Sequence, residues 1–134
     1  MGRHKDWERS LFAVVGVLST QPFEWGKNDC VTFAADCVEA QTGVDMIADF
    51  RNKYRTERGA RRAMIKAGSK DLGDLVALYL EETHVRKLAR GDIVVCEGEG
   101  GDFCAVVMGA TAVGPTPRGL RHCPIGQAKR AYKV

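Results

Sequence analysis

Histidine is scarce in this chain, with only His4, His84 and His122 among 134 residues, so few side chains are available for proton transfer near neutral pH. Long apolar runs are missing as well. The longest, from Leu11 to Leu18, falls far short of the roughly 20 residues that a membrane-spanning helix needs, and no membrane insertion is expected. There is no charged leader followed by an apolar stretch and a small-residue cleavage site, so export by a host secretion system is not expected either. Internal repeats, low-complexity tracts and linker-like stretches are also absent. Cysteine is present but not in any C-x-x-C pair, and the spacings of Cys30, Cys37, Cys96, Cys104 and Cys123 match no zinc or ferredoxin signature. No metal and no cofactor is expected. An odd number of cysteines without a signal segment argues against a disulfide framework and for synthesis in a reducing cytoplasm.

What remains is the composition of an ordinary globular protein. The chain is 45% hydrophobic and 28% charged, which excludes disordered, collagen-like and transmembrane classes. A chain of 134 residues suits one domain over 1–134, large enough to bury about two thirds of its unfolded surface. The formal charge of +3 is too mild to indicate nucleic acid, and no nucleic-acid partner is expected. Most of the excess is local: Arg51, Lys53, Arg55, Arg58, Arg61, Arg62 and Lys66 stand against Glu57 alone. Such a cluster is either a solvated helix face or a surface for an acidic protein partner, cell-wall anions or phosphates.

Periodicity gives helices first and strands later, an α+β pattern. Trp7, Leu11, Val14 and Leu18 predict a helix over about 6–19 with Trp7 as a core anchor. Ala60, Ala63, Met64 and Ala67 predict a second packing helix stopped by Gly68, and Leu72, Leu75, Val76 and Tyr79 a third with Asp71 near its start. His84 falls in an exposed connection. From Asp92 the period changes: Ile93-Val94-Val95 and Ala105-Val106-Val107 read as a hairpin around the glycine-rich turn 97–102. Those glycines fit no phosphate-binding spacing, and Arg90-Gly91-Asp92 reads as a turn before a strand. Short strands near 110–113, 119–122 and 129–134 complete the sheet, with Pro115, Pro117 and Pro124 expected at its joints.

One stretch looks built for chemistry. Between Phe23 and Gly43 one aromatic residue and then Trp25-Gly26 lead through a short polar loop to Asp29-Cys30. Asn28 and Asp29 are good N-caps for a run carrying Phe33, Ala34, Cys37, Val38 and Gln41 at helical spacing, with Gly43 as its stop. Cys30 therefore sits in the first helical turn, where unpaired amides and the helix dipole favour a thiolate. The competing reading is core packing beside Cys37, since free cysteine is among the most buried residue types. Asp29 caps the helix in either case.

This pattern resembles the NlpC-like branch of papain-fold cysteine peptidases, and more closely the short NlpC-like proteins encoded in phage and prophage tail modules. The likeness is carried by Phe23 to Cys30, Thr42-Gly43, Tyr54-Arg55-Thr56 to Gly59-Ala60, Ala89 to Asp92, and the ending Arg130 to Val134. It implies a papain-like fold in which the Cys30 helix packs on a small antiparallel sheet. It also implies that Trp25, Gly26 and Asp29 support Cys30 as nucleophile, with a histidine opening the second strand of the hairpin. Aligning that strand on Phe103-Cys104-Ala105-Val106-Val107-Met108-Gly109 puts Phe103 where the histidine should stand. Val31-Thr32 likewise replaces the family's usual Ser-Gly. Among the remaining histidines His122, in a candidate strand, is the best substitute base.

Three functions follow as expectations. The resemblance implies a virion protein of a phage tail tip or baseplate, made in the bacterial host cytoplasm, bound to other tail proteins and catalytically impaired. The alternative is an active peptidoglycan endopeptidase in which Cys30 attacks a stem-peptide amide with His122 as base. A third is a cysteine-ligated cluster protein of the same assembly.

Overall fold

The structure is a computed structural model and describes residues 2–134. Four helices precede a sheet: α1 (Trp7–Leu18), α2 (Cys30–Thr42), α3 (Glu57–Lys66) and α4 (Leu72–Ala77). Six strands follow, β1 (Glu81–Thr83), β2 (Ile93–Gly98), β3 (Gly101–Val107), β4 (Thr111–Thr116), β5 (Gly119–Pro124) and β6 (Arg130–Lys133). They form one antiparallel sheet in the order β1-β6-β2-β3-β4-β5. The mixed α+β class expected from the periodicity is what the chain adopts.

Helix ends follow local chemistry. Asp29, Thr56 and Asp71 each accept amide hydrogen bonds at an N-terminus, satisfying donors that have no intrahelical acceptor. Gly43, at φ 78°, ends α2 in the left-handed conformation that a side chain rarely adopts.

Register divides the sheet into two apolar faces, because directly opposed residues share a side. Ile93, Val95, Cys104, Val106, Val113 and Tyr132 face the helices and meet Leu11, Phe33, Ala34, Cys37 and Val38. Val94, Cys96, Phe103, Ala105, Val107, Ala112, Cys123 and Ala131 form the opposite cluster. That second face is covered by Val85 and Leu88 before β2 and by Ile125 and Ala128 after β5.

Two expectations need correction, and one strand was not anticipated. Trp7 is only half-buried, with the Arg3 guanidinium stacked 4.3 Å from its ring centre; the fully buried residue of α1 is Leu11. Pro115 lies within β4 rather than at a joint, opposite Leu120. It is tolerated because β4 pairs with β3 only through Ala112 and Val113, so its missing N–H removes no bond from that ladder. Edge strand β1, short and polar, carries no apolar alternation that would announce it.

A buried carboxylate ahead of β2 ties distant parts of the chain together. Asp92, 0% exposed, accepts from Arg3 at 3.1 Å, Lys133 at 2.7 Å, the Ala89 amide at 2.9 Å and the Val134 amide at 3.1 Å. The tripeptide Arg90-Gly91-Asp92 is thus a structural turn. Its glycine has φ +91°, and an added Cβ would overlap the buried Gln41 side chain. Removing one partner from a buried charged network leaves the others uncompensated. Asp92→Ala is therefore expected to lower stability by about 3–5 kcal/mol in urea unfolding, with near-wild-type stability contradicting this role.

Candidate functional site

Cys30 is the first residue of α2 and is half-buried. Its position follows from Asp29. The Asp29 Oδ1 accepts the Val31 and Thr32 amides at 3.0 and 2.9 Å, while the Thr32 hydroxyl accepts the Asp29 amide at 2.9 Å, completing a capping box. Its other oxygen accepts the Gly26 amide at 2.8 Å and the Tyr54 hydroxyl at 2.6 Å. Four donors thus surround a carboxylate that is only 1% exposed, which is what a buried charge requires. Of the first-turn amides, only that of Cys30 has no acceptor among the described residues.

The loop before α2 is held by the same groups. Gly26 has φ +84°, and a Cβ there would overlap the Tyr54 carbonyl oxygen. Only glycine lets the loop lie against the Tyr54 segment. Asn28 donates to the Gln21 and Pro22 carbonyls at 3.3 and 3.2 Å, fastening the connection from α1. Phe23 and Trp25 meet edge to face, with ring centres 4.9 Å apart.

Cys30 opens into a cleft of about 670 Å³. Phe23 and Trp25 form part of its wall, the β2–β3 turn with Phe103 another, and His122 and Cys123 of β5 a third. Glu97, Glu99 and Asp102 are spread along the wall with Arg118 and Arg121, and Arg118 pairs with Glu99 at 2.7 Å. The cleft is aromatic near the thiol and mixed in charge farther out. Among the described residues no three His, Cys, Asp or Glu side chains are grouped to hold a metal ion.

The expected site residues divide clearly. Cys30, Trp25, Phe103 and His122 line one cleft, and Gly26 and Asp29 support it from below through the bonds just described. Phe103 is 5% exposed and belongs to the sheet cluster against which Cys30 packs. The side chain of His122, opposite Val113 in the β4–β5 ladder, makes no hydrogen bond among the described residues. The other histidines are committed elsewhere. His4 bonds the Ala40 carbonyl at 2.8 Å, and exposed His84 accepts the Arg86 amide at 3.1 Å.

Two groups in the site were not singled out from sequence. Tyr54 was noted only as part of the resemblance, yet its hydroxyl completes the Asp29 shell; burial first and the Asp29 charge second push its phenol well above the ordinary value of 10.0. Cys104, one residue past Phe103, faces the helices in the cluster against which Cys30 packs. The neighbouring Cys30 thiol and complete burial push the Cys104 thiol up. Strand alternation could have flagged it, since neighbours of Phe103 must face the helices. In the basic stretch Arg51 is not free: it bonds Asp36 and Asp45, each at 2.9 Å. Arg58, Arg62 and Lys66 are exposed and form no ion pair among the described residues.

Tyr54→Phe removes one donor from a buried carboxylate and is expected to destabilise the protein by about 1.5–3 kcal/mol. The pH dependence has a defined sign. A phenol whose folded pKa is raised supports folding below pH 10.0, its ordinary value, and that support drains away as pH climbs above it. Urea titrations should show stability falling above that pH with a shallower slope in Tyr54→Phe; an unchanged slope would show that Tyr54 is not held neutral by the fold.

Among curated proteins no match to the chain was found. Residues 2–134 match the family described as "Domain of unknown function (DUF6950)", and with nearly its whole length covered the chain belongs to that family.

Proposed function

We propose that the chain is a tail-tip or baseplate protein of a phage or prophage virion, built on an NlpC-like papain fold whose catalytic set has eroded. The observation that carries this reading is Phe103, an apolar ring packed into the cleft wall in the strand position where such a peptidase has its histidine. Phenylalanine can neither take the thiol proton nor protonate a leaving amine. Support for the papain-like shape comes from a cysteine in the first turn of a helix that packs on β3 and β4 of an antiparallel sheet. The tail context rests on the sequence resemblance. Made in the host cytoplasm, the chain would then bind neighbouring tail proteins.

A second reading is favoured by one specific observation: His122 lines the same cleft as Cys30. On that reading the protein is a peptidoglycan endopeptidase acting during genome delivery. Cys30 attacks the carbonyl carbon of a stem-peptide amide, the uncommitted Cys30 amide stabilises the oxyanion, and His122 carries the proton to the leaving nitrogen. Phe23 and Trp25 would flank the substrate.

The two readings separate in one assay. Purified peptidoglycan is incubated with the intact protein, Cys30→Ala and His122→Ala, and released stem-peptide fragments are followed by mass spectrometry. The eroded-site reading expects no fragments from any of the three although all are folded. Cleavage by the intact protein that disappears in both variants would overturn it and identify His122 as the base. Proteomic analysis of purified particles made by the encoding phage or prophage tests the tail assignment, which fails if the chain is absent from them.

A further inference from the structure

Helix α1 is apolar almost all the way round. Its polar side chains, Glu8, Arg9 and Ser10, all fall in the first turn, and from Leu11 to Leu18 there is none. Trp7, Leu11, Val14, Val15 and Leu18 belong to the core shared with α2 and the sheet. That leaves Phe12, Ala13, Gly16 and Val17 exposed together, Phe12 at 49% and Val17 at 60%. A single apolar side chain in solvent is ordinary, but a helix that is apolar on both sides belongs where both sides are covered. The Arg90 guanidinium, 5.5 Å from the Phe12 ring centre, shields only that residue. A Cβ added at Gly16 would meet nothing within 4 Å, so no packing inside the chain requires glycine at a position where it weakens the helix.

The rim of this face carries both halves of an ion pair. Arg9 stands one turn before Ala13, exposed, and its side chain has no ion pair or hydrogen bond among the described residues. Glu39 of α2 borders the open groove that Ala13 and Val17 form with α2, and its side chain is likewise exposed and unpaired among the described residues. Asp36 lines the groove too, but Arg51 occupies it. We propose that this face docks on the same face of a second copy of the chain, forming a two-fold dimer in which α1 crosses its counterpart antiparallel near Ala13. An apolar strip that bears a free cation and a free anion is complementary to itself, as a two-fold contact demands. The Arg9 of each copy then meets the Glu39 of the other, and Phe12 and Val17 lose their exposure to solvent.

A different protein covering this face would have to supply both charges in the right register, whereas a second copy does so by symmetry. A helix of 12 residues is about 18 Å long, so the contact falls at the small end of protein interfaces and the association is weak and concentration-dependent. None of Arg9, Phe12, Ala13, Gly16, Val17 and Glu39 lines the Cys30 cleft. The dimer is therefore independent of whether Cys30 has a working base.

The test is sedimentation equilibrium of the intact chain from tens to hundreds of micromolar. The wild type should move reversibly toward twice the chain mass as concentration rises. Gly16→Glu should stay monomeric at every concentration and melt no lower than the wild type, since its new side chain finds open space within one copy. Arg9→Glu and Glu39→Arg should each weaken association about tenfold or more, and the two combined should restore it to within about threefold of the wild type. A wild type that is monomeric throughout overturns the proposal, as does a dimer that Gly16→Glu leaves intact or a combined variant as weak as the single ones. Wild-type monomers that bind phosphatidylglycerol vesicles, with binding lost in Gly16→Glu, would overturn it too and assign the face to lipid. Should Gly16→Glu fold poorly, the charge-swap set decides alone, because both of its positions are exposed.

Discussion

The Asp29 carboxylate gathers three stretches of chain that are otherwise unconnected: the Gly26 loop, the first turn of α2 and the segment carrying Tyr54. A charge buried to 1% exposure is tolerable only while its lone pairs are occupied. The geometry of the cleft follows from that requirement. The loop must approach closely enough for the Gly26 amide to donate, which excludes a side chain at Gly26. The helix must begin at Cys30, because the capping box with Thr32 fixes its first turn. Asp92 does comparable work, joining Arg3, the turn before β2 and the C-terminal end of the chain. The sheet itself carries two apolar faces, one of them packed against the helices.

The chemistry at the cleft is therefore set by position more than by activation. A thiol is delivered to the mouth of an aromatic-walled cavity by a rigid helix start. Across from it, strand alternation offers two neighbours in β3, the ring of Phe103 on one face and the thiol of Cys104 on the other. Neither can act as a base at neutral pH. His122 reaches the same cavity from β5, two strands away from β3 in the sheet order. The result is a scaffold that holds a thiol at the wall of a cleft that His122 also lines. Amide hydrolysis there would need a group that delivers a proton to the leaving nitrogen, which Phe103 cannot do.

Much of this was legible in the sequence because local rules dominated locally. The α2 boundaries follow from Asp29 and Gly43, the β2–β3 hairpin from a change in period, and the arrival of Cys30 at a helix start from a single capping residue. What could not be read depends on contacts between distant positions. Tyr54 meets Asp29 from 25 residues away, and no periodicity encodes that bond. Cys104 enters the cluster beneath Cys30 only once α2 has docked on the sheet. Strand β1 is polar and three residues long, held by its pairing with β6 rather than by its own pattern. Pro115 sits inside a strand because the neighbouring ladder stops short of it, which is a property of the sheet and not of the segment. The accessibility of Cys30, half-buried at the wall of the cleft, likewise emerges only from the assembled loop.

The account stands or falls on whether any base serves Cys30. The most direct measurement is the rate of Cys30 carboxymethylation by iodoacetamide as a function of pH, in the wild type and in His122→Gln. A thiol paired with an imidazole stays reactive at acidic pH, because the ion pair holds it as thiolate. The account predicts superimposable profiles for the two proteins, with no acidic limb in either. An acidic limb in the wild type that vanishes in His122→Gln would contradict it and restore a working cysteine–histidine pair to the cleft.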